Sequence, residues 1–241
     1  MKKLLLLLLI VPAISSAQLK SLVKKAKSKV TAIAPANATG LDIAAGLKEA
    51  LNKGVTEQVT KLTAVDGFYK NEAVKILMPA ELQKVDKALR RMGLGSLADD
   101  GIKSLNRAAE DAVKEATPIF VNAITSMTIT DAKGILMGSD NSATTYLQTN
   151  TTTALYGKFS PVVQESIGKV GADKIWASII TKYNSIPLVS KVNPDITDYV
   201  TNKALEGVFK MITVEEKNIR AKLDSRTSDL LKKVFALQDK K

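Results

Sequence analysis

Residues 41–63, LDIAAGLKEALNKGVTEQVTKLT, set the fold class. Ile43, Leu47, Leu51, Val55, Val59 and Leu62 recur every three or four positions. They form one apolar stripe along an amphipathic helix that Asp42 is placed to cap. Asp66-Gly67 then turns the chain. A short helical piece is expected at Glu72–Leu77. Pro79 suits the first turn of a helix carrying Leu82, Val85, Leu89 and Met92, which Gly93 and Gly95 end. Ser96 opens a long helical stretch through Ile102, Leu105, Ala109, Ala112 and Ala116. Pro118 kinks or restarts it before Phe120, Ile124 and Met127.

Asp131–Met137 reads as a short helix stopped by Gly138, with Ser139 or Asp140 able to cap the next. The threonine-rich residues 142–157 fit either a helix or an irregular polar stretch. Val162–Val170 and Ile175–Tyr183 have helical spacing, and residues 185–196, with Pro187 and Pro194, form the longest loop. Helices over Thr197–Lys222 and Thr227–Leu237 complete the chain. Period-two alternation never persists, so the expected class is all-α: a single multi-helix bundle domain over residues 41–241.

Two segments precede that body. Residues 1–17, MKKLLLLLLIVPAISSA, have two lysines, an apolar run from Leu4 to Val11, and small residues at Ser15 and Ala17. This is the layout of a secretory signal peptide, expected to be cleaved after Ala17. The run is too short for a spanning helix, which needs about 20 apolar residues. A soluble periplasmic location is therefore expected. Residues 18–40 form a basic amphipathic arm or linker. Leu19, Leu22, Val23, Ala26, Val30 and Ile33 share one side, with Lys20, Lys24, Lys25, Lys27 and Lys29 on the other. The arm reads either as a solvated tether or as a helix for peripheral contact with anionic membrane or an envelope polymer.

Composition narrows the chemistry. Removing Lys2 and Lys3 from 35 basic residues leaves 33 against 24 acidic, a net charge of +9, and the arm alone carries +5 of it. Export, and the scarcity of aromatics near these lysines, argue against a nucleic-acid partner. The chain has no cysteine and no histidine. Disulfides, thiolate chemistry, imidazole-bound zinc and any serine-histidine triad are thus excluded. No cofactor or metal motif appears, and no catalytic residue is assigned. Gly138–Gln148, GSDNSATTYLQ, lacks the alternating oxygen ligands and terminal glutamate of a calcium loop.

Two groups of charged residues remain as binding candidates. Asn106, Arg107 and Glu110 lie in SLNRAAEDAV, where the three-residue offset of Arg107 and Glu110 reads first as a surface ion pair. Glu215 and Glu216 fall where the seam of Val200, Ala204, Val208, Met211 or Ile212, and Ile219 would place an apolar side chain. One of them is expected to be partly buried and paired. Arg220 is four residues from Glu216, while Glu215 needs a partner from another helix, for which Arg107 and Arg226 are the candidates.

The segments GLKEALNKGV, LQKVDKALRRMGLGSLADD, SLNRAAEDAV, PIFVNAI, ITDAKGIL, YVTNKALEGVFKMI, EEKNIR and RTSDLLKKVF occur in this order. With them, the body resembles domain of unknown function 4197, a bacterial family found on exported proteins. Asn202 stands where that family commonly has an aspartate. The resemblance implies that Arg107, Glu110, Lys203, Glu215, Glu216, Arg220 and Arg226 fall within family motifs.

Three functions are expected to compete. The first is a non-enzymatic envelope protein binding an apolar or amphipathic ligand such as a lipid, or a protein partner, in its bundle. The second is a histidine-free hydrolase or lyase using Glu215 or Glu216 with Arg107 or Lys203. The third is a structural or assembly subunit.

Overall fold

Among the described residues, four helices open with the side-chain oxygen of their own N-cap residue accepting backbone N–H groups of their first turn, as the orphan donors of a helix start require. Their order follows from a computed structural model that describes residues 38–239, apart from 80–82, 92, 94, 170, 186, 189, 190, 192 and 194. The expected signal peptide over residues 1–17 and residues 18–37 of the expected arm, with Lys20, Lys24, Lys25, Lys27 and Lys29, lie outside the described residues. So do Leu82 and Met92.

The helices are α1 (Gly40–Thr63), α2 (Gln83–Arg91), α3 (Gly95–Val113), α4 (Ala116–Ser126), α5 (Ile129–Leu136), α6 (Ser142–Gly168), α7 (Ala172–Asn184), α8 (Ile196–Ala221) and α9 (Asp229–Phe235), with a 3-10 turn at Leu223–Ser225. The fold is all-α, and no strand occurs among the described residues. Thr39 rather than Asp42 caps α1. Its hydroxyl accepts the Asp42 N–H while the Asp42 carboxylate accepts the Thr39 N–H. This capping box recurs at α5 with Thr128 and Asp131. Asp195 caps α8, and Ser228 caps α9.

The threonine-rich stretch is helical, and α6 runs unbroken for 27 residues. Ala143, Leu147, Thr151, Leu155, Phe159, Val163 and Ile167, spaced every four positions, are its buried face. Thr151 fits there because its hydroxyl donates to the Leu147 carbonyl at 2.6 Å. Pro161 sits on the exposed side of the helix.

Helices α6, α8 and α3 pack together, while α1 lies against α4, α5, α8 and α9. Phe120 of α4 meets Phe209 of α8 edge to face, with centroids 5.9 Å apart. Pro118 falls at the third residue of α4, after the break at Lys114-Glu115, so the chain restarts there rather than kinks.

Residues 72–77 are not helical. Asn71–Val74 form turns and the chain then follows no regular secondary structure, with Val74 and Ile76 buried on alternate positions. Alternation over three residues is too short to register as a strand pattern in the sequence. This loop seats Phe68, wholly buried, over Gly207 of α8, where an added Cβ would lie 2.7 Å from the ring.

Candidate functional site

Sequence reasoning singled out charged residues on α3 and α8, and the structure separates them into three groups. The first fastens the loop between α1 and α2. Asn106 is fully buried: its Oδ1 accepts the Ile76 N–H at 2.8 Å, and its Nδ2 donates to the Ile76 and Ile102 carbonyls. Glu110, only 4 % exposed, accepts the N–H groups of Phe68 and Tyr69 through Oε1 and pairs with Arg107 through Oε2. Arg107 also pairs with Asp66, which Lys70 approaches at 2.8 Å. These neighbours, Lys70 first, hold the Asp66 carboxyl below its ordinary value. The surface ion pair read from Arg107 and Glu110 is therefore corrected. Loop 64–78 covers that face of α3 and needs acceptors for its own amides.

The second group joins α8 to the start of α6 and the end of α5, and closes the end of α8 itself. Glu216, 7 % exposed, accepts the Ala143 and Thr144 N–H groups at 2.9 and 2.8 Å, and the Thr144 hydroxyl at 2.8 Å. It thus caps α6 from another helix, where the sequence pointed to Ser139 or Asp140. Asn141 holds the N-cap position without a side-chain bond. Arg220, one turn on, donates twice to Glu216 Oε1 and reaches the Ile135 and Leu136 carbonyls at the end of α5. Arg226 is buried as well. It donates to the Ile219 and Arg220 carbonyls, closing α8, and grips Asp239 with both terminal nitrogens. That guanidinium holds the Asp239 carboxyl below its ordinary value.

The third group is a groove between α1 and α8. Glu215 is half-buried, and its partner is Gln58 of α1, whose Nε2 donates at 3.0 Å. Arg107 and Arg226 are engaged elsewhere, so neither is the partner anticipated for Glu215. Outside Glu215 lies an open recess of about 290 Å³ whose lining includes Lys53, Glu57, Asn218, Lys222 and Thr227. Behind it is an apolar pocket of only about 20 Å³ among Leu47, Leu51, Val55, Ile212 and Phe235. Ala50, Gly54, Glu215 and Ile219 line both lobes. Gly54 lets Glu215 pack close to α1, because a Cβ there would come within 3.2 Å of Glu215 Cγ.

Lys203 belongs to none of these groups. It pairs with Glu206 at 2.6 Å on a partly exposed face of α8. Thirteen residues separate it from Glu216, about 20 Å along a helix. Among the described residues, no three carboxylates converge as a metal site would require.

With the geometry described, comparison with known proteins decides the family. The model for Protein of unknown function (DUF4197) matches residues 37–236. The chain belongs to this family. No curated protein and no solved structure matches the chain. The match to the DUF4197 family takes in all three groups except Asp239, and includes Gln58 and Lys53, which the sequence reading passed over. Gln58 did leave a signal, as a polar residue between Val55 and Leu62 on the buried face of α1.

Proposed function

We propose that the chain is an exported, non-enzymatic envelope protein that takes a small amphipathic ligand in the groove between α1 and α8. One observation carries this reading: a polar recess of about 290 Å³ adjoins an apolar pocket, and Glu215, Gly54, Ala50 and Ile219 line both. Ligand sites combine an apolar lining with a few convergent polar groups in this way. The inner pocket has room for a methyl-sized group, so the apolar part of the ligand is short.

The other carboxylates support a non-catalytic role. Glu110 and Glu216 already accept backbone amides and face an arginine each. Lys203 stands far from both glutamates of the 215–216 pair, so the residues required by a carboxylate-lysine hydrolase do not meet. Export to the periplasm rests on Lys2, Lys3, the apolar run Leu4–Val11 and the small residues to Ala17. Five lysines between 18 and 40 suit contact with an anionic membrane surface or envelope polymer.

Native mass spectrometry of the protein purified from cell envelopes tests the reading. A small bound species, lost on denaturation and regained from an envelope extract, is the expected result. A bare mass, with no uptake from the extract, contradicts it. N-terminal sequencing of the same sample should begin at Gln18.

A further inference from the structure

Beside the groove, Gln58 of α1 has bonding capacity that the fold leaves unused. Gln58 is 2 % exposed, on the apolar face of α1, one turn beyond Gly54. Its Nε2 is committed to Glu215, and its Oε1 has no hydrogen-bond partner. Burying an amide with an unmet acceptor is costly, and native structures seldom keep one without a use. Here the amide pins Glu215 by one oxygen. Among the described residues the carboxylate has no cationic partner.

The opposite charge waits at the same recess. Lys53 donates to the Thr227 hydroxyl at 2.6 Å, and neither Lys53 nor Lys222 makes an ion pair with a carboxylate among the described residues. Glu57, the other acid at the mouth, is paired with Lys61 at 2.8 Å. Among the described residues, one carboxylate and two ammonium groups without an ion-pair partner line this recess, and a methyl-sized apolar pocket shares its Glu215 wall.

Resting on the reading of this groove as an amphiphile site, we infer that its ligand is a small zwitterion. The ligand ammonium sits on Glu215, its anionic group on Lys53 and Lys222, and its short apolar substituent points toward Leu47 and Ile212. A free α-amino acid with a small aliphatic side chain has this chemistry. The ethanolamine-phosphate head of a lipid shares the charges but brings acyl chains for which the inner pocket has no room. Discrimination comes from what a partial match leaves behind. A ligand without an ammonium covers Glu215 and leaves it unpaired, and one without an anion does the same to the lysines.

Isothermal titration of the purified chain with L-alanine and L-valine tests this. Propionate and propylamine serve as analogues carrying one charge each, and lysophosphatidylethanolamine and lysophosphatidylglycerol as the lipid arm. The expected result is binding of at least one amino acid, at least tenfold tighter than either analogue. Glu215→Gln should weaken it at least tenfold with the melting temperature unchanged, and Lys222→Ala several-fold. Equal binding of propionate overturns the inference, as does full affinity in Glu215→Gln. Binding of both lysolipids without either amino acid also overturns it, while leaving the amphiphile reading intact. If no probe binds and the envelope extract yields no ligand, both readings fail together.

Discussion

Glu216 and Arg220, one turn apart on α8, close opposite ends of two other helices. The carboxylate accepts the first N–H groups of α6, and the guanidinium donates to the last carbonyls of α5. Each charge therefore meets the helix-dipole end of opposite sign. Breaking such a buried pair strands the remaining charge, so Glu216→Ala should cost about 3–5 kcal/mol. The double variant Glu216→Leu/Arg220→Met should be more stable than Glu216→Ala alone, because neither charge is left behind. Urea unfolding of the three proteins checks both orders.

Asn106 has the shape of leucine but forms three hydrogen bonds. Asn106→Leu should cost about 2–3 kcal/mol, through the Ile76 amide and carbonyl left buried without partners. Hydrogen exchange should quicken at Ile76 before it does in α6. Arg107→Ala, at a partly exposed pair, should cost less, about 1 kcal/mol.

Two helical glycines should respond in opposite directions to alanine. At Gly207 a Cβ meets the Phe68 ring at 2.7 Å and Val74 at 3.3 Å, so Gly207→Ala should destabilise by about 1–3 kcal/mol. Nothing lies within 4 Å of a Cβ at Gly134, so Gly134→Ala should stabilise by about 0.5–1 kcal/mol. Thermal melts of both variants decide the matter.

Acid should unfold the protein through identifiable carboxylates. Asp66, Asp131 and Asp239 are held below their ordinary value of 3.8, by Lys70 and Arg107, by Thr128, and by Arg226 respectively. A depressed folded pKa means the stabilisation is complete above the unfolded value and disappears as pH falls through the folded one. Stability should thus hold down to about pH 5 and decline below about pH 4. Asp239→Asn should be less stable than wild type at pH 6, and the gap should narrow toward pH 2.5 in urea titrations.

The helices were legible because their stripes are regular. Leu47, Leu51, Val55 and Leu62 on α1, or Val200, Ala204 and Val208 on α8, follow the period of a buried face. The same seam marked Glu215 or Glu216 as an intruder, since periodicity shows where an apolar residue is missing, and the structure buries Glu216. What it could not reveal was the partner. Glu216 accepts from Ala143, 73 residues earlier, and a helix start without its own capping side chain looks like a start capped by Ser139 or Asp140. Glu110 was misplaced for a related reason: the loop that buries it extends irregularly and leaves no periodic trace. The α1–α8 groove was hidden because two of its residues, Lys53 and Lys222, look like ordinary surface lysines until the helices are set side by side.

Urea unfolding and ligand titration of Glu215→Gln, run beside Glu216→Gln, test the division of labour between the neighbouring carboxylates most directly. Glu215→Gln should unfold within about 0.5 kcal/mol of wild type and lose ligand, while Glu216→Gln should lose about 2 kcal/mol or more. Equal loss of stability in the two variants, or undiminished ligand uptake by Glu215→Gln, would contradict the assignment of structure to one and recognition to the other.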